Sequence, residues 1–305
     1  MFLFESISFS QIAMWVAVIA ALMALNEIAR ISKWTSLFLF LVLPIFLTFA
    51  VWPNTATPES GVGTWFHYAK VYSALAGCLG FLALRHVKGL STKKWALMFP
   101  PVILAINIME AVIRDFECYS LNGLVDGVVM VGGSWNIMNG IAGILNIITI
   151  TGWMGIYITK DRFKDMVWPD QLWFWIIAYD LWNFAYVYNC VSDHSFYAGA
   201  ALLISCTIPA FFFKKGAWLQ HRAQTLAFWM MFTMSFPTFV STSQFAVKSS
   251  HNTTALFVVS FIALASNIAV FGYYIYKIVK TKKNPLKQEM FTDLKAYEEL
   301  ADKEN

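Results

Sequence analysis

A carboxylate, Asp180, stands in the middle of an otherwise apolar stretch of this sequence. If the stretch crosses a bilayer, an ionisable group there costs about 2.5–3.5 kcal/mol on insertion scales, so it needs a partner, a water-filled cavity or a function. No basic residue is predicted at the depth of Asp180, so its carboxyl group is either neutral or in contact with water. Both states suit proton exchange. The alternative is a neutral carboxyl group that only hydrogen-bonds a neighbouring helix.

A second group of polar residues lies in two neighbouring apolar stretches. His67 and Lys70 are one helical turn apart, and Asn107 and Glu110 have the same spacing in the next stretch. Consecutive spans run antiparallel, which places Lys70 and Glu110 at similar depth, so a structural ion pair is one interpretation. The other is a pocket that opens to the outside. The candidate residues for binding a solute or an ion are Asp180, Asn183, Lys70, Glu110, His67, Asn107 and Tyr186.

The composition identifies the environment of these residues. Of the 305 residues, 58% are hydrophobic and only 13% are charged, whereas a soluble domain carries roughly 25% charged residues. So few charges cannot cover a water-facing surface, which excludes a soluble enzyme, a disordered chain and a nucleic-acid-binding domain despite the net charge of +4. We therefore predict a multi-pass membrane protein whose partners are lipids and a small solute.

Nine apolar stretches reach the length of about 17–25 residues that a membrane-spanning helix needs. Transmembrane barrel strands would be about 9–11 residues with alternating polarity, so an all-α helix bundle is predicted. The predicted spans are Ile12–Ala29, Thr35–Trp52, Trp65–Leu84, Trp95–Ile113, Asn136–Thr159, Leu172–Cys190, Phe196–Phe213, Thr225–Val247 and Ala255–Ile278.

The basic residues predict the orientation of these spans. Of the 22 Lys and Arg residues, all but Lys70, Arg114 and Lys248 lie in every second connection between the spans or in the tail. Basic residues are retained on the cytoplasmic side, so nine spans place the N-terminus outside and the C-terminus in the cytoplasm. This assigns Arg222 to a cytoplasmic loop.

Two segments outside the spans have distinctive patterns. Residues 1–285 are predicted to form one transmembrane domain, and 286–305 a cytoplasmic tail. Leu286, Met290 and Leu294 recur at four-residue spacing, which predicts an amphipathic helix on the inner membrane face. The glycine-rich segment Leu121–Ser134 is too short for a tenth span, and it is either a re-entrant or interfacial piece or an extracellular loop.

Catalytic and metal-binding motifs are missing from the sequence. It contains no His-Glu-x-x-His, Gly-x-Ser-x-Gly, phosphate-binding or dinucleotide-binding pattern, so we expect no cofactor and no resident metal. The alternative is a metal site at the outer face, formed by His67, His194, His251 and Asp193. Cys118 and Cys190 both fall at the predicted outer surface, where a disulfide between them is possible but not required.

Two stretches carry a resemblance to known families. The sequences that begin Trp135-Asn-Ile-Met-Asn-Gly and Trp173-Phe-Trp-Ile-Ile-Ala-Tyr-Asp180 together resemble a family of bacterial multi-pass membrane proteins of unknown function. The resemblance covers nearly the whole chain and implies a location in the cytoplasmic membrane, but no activity and no site residues. The second stretch is also distantly similar to a helix of nicotinamide riboside permeases. It departs from that pattern, because Asp180 stands where the permeases have Asn.

The leading functional hypothesis is a secondary transporter for a small polar or zwitterionic solute, with Asp180 or Glu110 as a proton site. One alternative is an intramembrane enzyme that acts on lipid or envelope precursors, with His67 and Glu110 as an acid–base pair. The other is a sensor or assembly partner without chemistry.

Overall fold

The computed structural model describes residues 2–301, and 71% of the chain is helical. The all-α prediction therefore holds, apart from two small hairpins. The helices are α1 Phe9–Ile31, α2 Lys33–Thr55, α3 Trp65–His86, α4 Lys94–Cys118, α5 Ser134–Ile148, α6 Trp173–Cys190, α7 Ser192–Phe213, α8 Trp218–Ser235, α9 Thr253–Thr281 and α10 Lys295–Ala301. The hairpins pair β1 Asn122–Val125 with β2 Val128–Val131, and β3 Tyr157–Ile158 with β4 Met166–Val167.

Five helices are long and apolar enough to cross a membrane: α1, α2, α4, α7 and α9. The two N-terminal ones, α1 and α2, leave large apolar side chains such as Phe9 and Phe49 more than 80% exposed, as a surface in contact with lipid would. Helices α3, α6 and α8 have comparable lengths but carry more polar residues, most of them buried. The full count of nine spans and the orientation remain predictions.

The fifth predicted span, Asn136–Thr159, is not one helix. Helix α5 ends at Ile148, and its 15 residues extend about 22 Å at 1.5 Å per residue, which is less than the hydrocarbon thickness of about 30 Å. The chain then turns at Gly152, which has a φ of +64°. The hydroxyl of Thr151 donates to the carboxylate of Asp170 at 2.7 Å. The run stays apolar beyond Ile148, but this turn ends the helix.

Helix α8 is displaced from its predicted bounds, Thr225–Val247. It begins seven residues earlier, at Trp218, and ends at Ser235. All of its residues are buried except Phe232 and Ser235, so it is a central helix surrounded by protein. A helix that faces protein on all sides can hold polar residues that lipid would exclude, and Arg222 lies in this helix rather than in a loop.

Helices α4, α5 and α6 meet closely at a glycine. A Cβ atom at Gly143 of α5 would lie 2.5 Å from Val112 of α4 and 2.8 Å from the indole nitrogen of Trp182 of α6. That indole donates a hydrogen bond to the backbone carbonyl of Asn139 at 3.1 Å. The absence of a side chain at Gly143 is therefore required for this packing.

The segment Leu121–Ser134 is neither a tenth span nor a featureless loop, because most of it forms the β1–β2 hairpin. Its turn residues Asp126 and Gly127 both have positive φ, 50° and 75°, as tight hairpin turns with a right-handed strand twist require. A side chain at Gly127 would also collide with the backbone of Glu59, so this turn contacts the loop between α2 and α3.

The tail does not form the predicted amphipathic helix along the membrane face. Leu286 is 66% exposed, whereas Met290 is fully buried and Phe291 is 4% exposed against the protein. The Asp170 carboxylate accepts the backbone N–H of Met290 at 3.0 Å and that of Phe291 at 2.9 Å. Burial raises the pKa of Asp170, and these hydrogen bonds oppose that rise. Among residues 286–301, only Lys295–Ala301 is helical, and the backbone N–H groups of Met290 and Phe291 are bonded to Asp170 instead of to a helical carbonyl.

Candidate functional site

Helices α3, α6, α7 and α8 surround an interior cavity of about 50 Å³. One water needs about 10–15 Å³ on this measure, so there is room for a few waters or one small solute. Along α8 the cavity extends from Arg222 to Thr233, about 16 Å at 1.5 Å per residue. The polar residues that line it are His67, Lys70, Asn183, Tyr186, His194, Arg222 and Thr233.

Four of the seven predicted site residues are on the cavity wall: His67, Lys70, Asn183 and Tyr186. The first two lie in the first turns of α3, and the other two are one turn apart on α6. All four are at most 6% exposed. The structure thus brings residues from two distant stretches of sequence to one site.

Glu110 and Asn107 lie behind Lys70 and not on the wall of this cavity. The Lys70 ammonium is 3.3 Å from the Glu110 carboxylate and donates to the backbone carbonyl of Asn107. The hydroxyl of Ser73 donates to Glu110 at 3.1 Å and accepts from the Asn107 amide at 3.0 Å. The ion pair considered from the sequence is therefore present, and it neutralises the charge of Lys70.

Sequence reasoning missed Arg222, whose side chain reaches the middle of the bundle. It is 4% exposed, donates to the Tyr179 hydroxyl and to the Asn183 side-chain oxygen, both at 3.3 Å, and lines the cavity. Its Nη1 has no hydrogen-bond partner among residues 2–301. One signal was available: no Gly or Pro interrupts the chain between Trp218 and the apolar run, so the helix could have been extended backwards.

Asp180 lies off the cavity wall, on the side of α6 that faces α7. Its Oδ2 accepts from the Thr207 hydroxyl at 2.7 Å, and this hydroxyl accepts from the Trp218 indole at 3.2 Å. The other oxygen, Oδ1, is buried without a partner in the described part of the chain. The charges of Asp180 and Arg222 are close enough to interact. The expectation that no basic residue lies at this depth is therefore wrong.

A second, smaller cavity of about 30 Å³ adjoins the first. Its wall includes Ser73, Asn107, Tyr179 and the same Arg222. Arg222 thus lies between the two cavities, and its Nη1 has no hydrogen-bond partner within the part of the chain that the structure describes.

The histidines considered as a metal site do not all converge: His67 and His194 line the same cavity, but His251 does not. His67 bonds the Thr64 hydroxyl at 2.8 Å, whereas His251 lies 3.3 Å from Asp193, which also pairs with Lys248. Residues 2–301 contain no group of three or more His, Cys, Asp or Glu side chains that could hold a metal ion.

The end of the bundle opposite the basic loops holds a buried carboxylate that the sequence placed in a loop. Asp115 is fully buried and accepts from the Asn139 amide at 2.7 Å and from the Cys190 thiol at 3.3 Å. Cys118 and Cys190 are both free and buried, so the optional disulfide is not formed.

The end of the bundle that carries the basic loops is closed by an ion-pair network. The Arg30 guanidinium donates to both oxygens of Asp165, at 2.9 and 3.0 Å, and Gln220 donates to the same carboxylate at 2.9 Å. Arg85 donates to the Arg30 carbonyl and to carbonyl groups of the β3–β4 loop. Arg30 and Asp165 are at most 3% exposed. These contacts connect α1, α3 and α8 to the β3–β4 hairpin, close to the end of the cavity at Arg222.

Comparison with known proteins places this architecture in a family. The profile of DUF5692, a family of unknown function, matches residues 5–303. The chain belongs to this family. No curated protein and no solved structure matches. Membership in DUF5692 confirms the resemblance to a family of unknown function and assigns no activity.

Proposed function

We propose that the protein is a membrane permease that binds a small polar solute in the cavity between α3, α6, α7 and α8. The observation that carries this proposal is the pair of unsatisfied buried groups on its wall, Arg222 Nη1 and the Tyr186 hydroxyl. A buried donor without a partner costs about 1–3 kcal/mol, and such groups in native proteins mark places where water, an ion or a ligand binds.

The position of the cavity supports movement of the solute rather than binding alone. Most of its wall lies in the half of the bundle away from the basic loops, where α3 begins and α8 ends, although Arg222 lies in the second turn of α8. The network around Asp165 closes the opposite end. Transport then requires this network to open while the other end closes, an exchange between two packings of the same helices.

Asp180 is the proton site of this proposal. Glu110 is less suited, since its carboxylate already pairs with Lys70 and accepts a hydrogen bond from Ser73. One oxygen of Asp180 accepts a hydrogen bond from Thr207, and the other has no partner among residues 2–301. Its titratable or charged neighbours are Arg222, Tyr179 and Cys206. A solute that alters the charge at Arg222 would change the proton affinity of Asp180, which couples the two events.

The test is uptake into reconstituted vesicles with and without an inside-alkaline pH gradient. The probes are one labelled solute of each charge class: pyruvate, glycine, glycerol and ethanolamine. We expect gradient-dependent uptake of at least one probe, above that of protein-free vesicles. Asp180→Asn should remove the dependence on the gradient, and Glu110→Gln, the matched control, should keep it. Uptake equal to that of empty vesicles for all four classes would refute the permease, and the reverse pattern of the two variants would refute the role of Asp180.

A further inference from the structure

We infer that the solute is a small organic monoanion whose carboxylate binds Arg222 and Tyr186. This inference rests on the proposed function, whose cavity it assigns to a chemical class. It depends on three independent features of the wall: its charge, its free hydrogen-bond donors and its apolar side.

The charge of the wall favours a single negative charge. Lys70 and Arg222 line the cavity, and no Asp or Glu does so within residues 2–301. Lys70 is already paired with Glu110, whereas Arg222 forms no ion pair with any described carboxylate. Asp180 contributes only a longer-range interaction and bonds Thr207 instead. Because an unpaired buried charge is strongly unfavourable, one anion is the complement that the site lacks.

The free donors are arranged for an oxyanion. The guanidinium is held by Tyr179 through Nε and by Asn183 through Nη2, which leaves Nη1 for a ligand. The hydroxyl of Tyr186, one turn beyond Asn183 on α6, is the second donor without a partner. Arginine and hydroxyl donors bind carboxylates through short, charge-assisted hydrogen bonds, and both residues line the same cavity.

The rest of the wall is apolar, so the anion should carry a hydrocarbon group that packs against it. Leu226, Trp229 and Met230 of α8 line the cavity at helical spacing, and Phe66 of α3 also does. An inorganic anion would leave this surface in contact with water. The cavity volume of about 50 Å³ limits the organic body to a few carbon atoms in this conformation. Anions of the size of propionate or pyruvate meet all three conditions.

Binding to the purified protein in lipid nanodiscs, measured by calorimetry, tests the inference without requiring transport. The ligands are the carboxylates from formate to butyrate and pyruvate, with methyl pyruvate as the uncharged match, and chloride, phosphate and malonate as other anions. We expect at least one monocarboxylate to bind, and its ester, the inorganic anions and the dianion to bind at least tenfold more weakly.

The variants identify the residues responsible. Arg222→Gln should weaken carboxylate binding roughly 10- to 100-fold, the range for losing a charged hydrogen bond. Arg222→Lys should weaken it less. Lys277→Gln is the matched control, since Lys277 is also a buried cation but lies outside the cavity and pairs with Asp293, and it should leave affinity unchanged. If Arg222→Gln fails to fold, Tyr186→Phe removes only the hydroxyl and should still weaken binding severalfold.

Several results overturn the inference. These are no binding by any carboxylate of the series, equal binding of pyruvate and methyl pyruvate, or carboxylate affinity that Arg222→Gln and Tyr186→Phe leave unchanged. The two proposals fail separately. Carboxylate binding that depends on Arg222, without uptake into vesicles, would remove the permease and leave the anion site, whereas uptake of only glycerol or ethanolamine would do the opposite.

Discussion

The closure of the basic end can be tested by removing one charge, with Asp165→Asn. The substitution keeps the shape of the side chain but removes the anion that accepts two hydrogen bonds from Arg30 and one from Gln220. Arg30 then retains only Glu27, whose side chain is 48% exposed, as an acidic partner. The hairpin that carries Asp165 should separate more often from α1 and α8.

The magnitude follows from the burial of the pair. The side chains of Arg30 and Asp165 are each 2% exposed, so water compensates neither charge. Removing one partner of a buried ion pair costs about 3–5 kcal/mol. Taking the lower value, because the asparagine oxygen can still accept one hydrogen bond, the opening equilibrium should rise roughly 10²-fold at 1.36 kcal/mol per tenfold change.

Amide hydrogen exchange at two positions measures this opening directly. The N–H of Met166 donates to the Gln220 side chain at 2.9 Å, and that of Trp168 donates to the Gly216 carbonyl at 2.9 Å. Both bonds join the hairpin to the start of α8, so both amides exchange only when the two separate. We expect both amides to exchange roughly 10²-fold faster in Asp165→Asn, because the opening equilibrium rises by that factor.

The control is another aspartate of the same loop. The carboxylate of Asp161 accepts hydrogen bonds from Thr159 and from the N–H groups of Phe163 and Lys164 within its own loop. Outside the loop it forms a partly exposed ion pair with Lys214 at 3.7 Å, which is worth about 0–1 kcal/mol. Asp161→Asn keeps that oxygen and should leave exchange at both amides unchanged. Unchanged exchange in Asp165→Asn would refute the closure. Exchange accelerated equally throughout α9 would show global destabilisation and would refute the local reasoning.

Two further predictions concern the packing of the bundle. Asp170→Ala removes the acceptor for the amides of Met290 and Phe291. Each bond to a charged group is worth about 1.5–3 kcal/mol, so the tail should detach more often and trypsin should cleave it roughly 10²-fold faster. A cleavage rate equal to that of the wild type would show that the hydrogen bonds to Asp170 do not hold the tail in place. Gly143→Ala should lower the free energy of unfolding by about 1–3 kcal/mol through overpacking. At Gly272 no atom lies within 4 Å of the new methyl group, so Gly272→Ala should leave the free energy of unfolding unchanged or raise it by about 0.5–1 kcal/mol. Thermal unfolding compares the two variants, and equal melting temperatures would contradict the close three-helix contact.

The sequence alone predicted most of the helices correctly. The predicted start of the third span, Trp65, is the first residue of α3, and the predicted end of the sixth, Cys190, is the last residue of α6. Such boundaries depend on a local run of apolar residues, and hydropathy is a sum over sequence neighbours. The same reasoning failed for α5, since the helix ends at Ile148 and the chain turns at Gly152 although the run of residues stays apolar.

Four polar residues of the candidate site were also accessible from the sequence. Polar residues within apolar stretches indicated His67, Lys70, Asn183 and Tyr186, all of which line the cavity. The signal could not distinguish residues on the cavity wall from those that support or neighbour it. Asp180, the strongest signal in the sequence, is bonded to Thr207 outside the cavity.

The sequence by itself determined that the chain is helical and apolar, and which stretches carry buried charge. Only the tertiary structure decided which charges meet. Arg222 and Asn183 are 39 residues apart, and Lys70 and Asn107 are 37 apart. Positive charges near apolar stretches usually lie at the membrane surface, so Arg222 was assigned to a loop. It lies in the bundle because α8 is enclosed by other helices, and whether a helix faces lipid or protein is a property of its neighbours in space, not of its own residues.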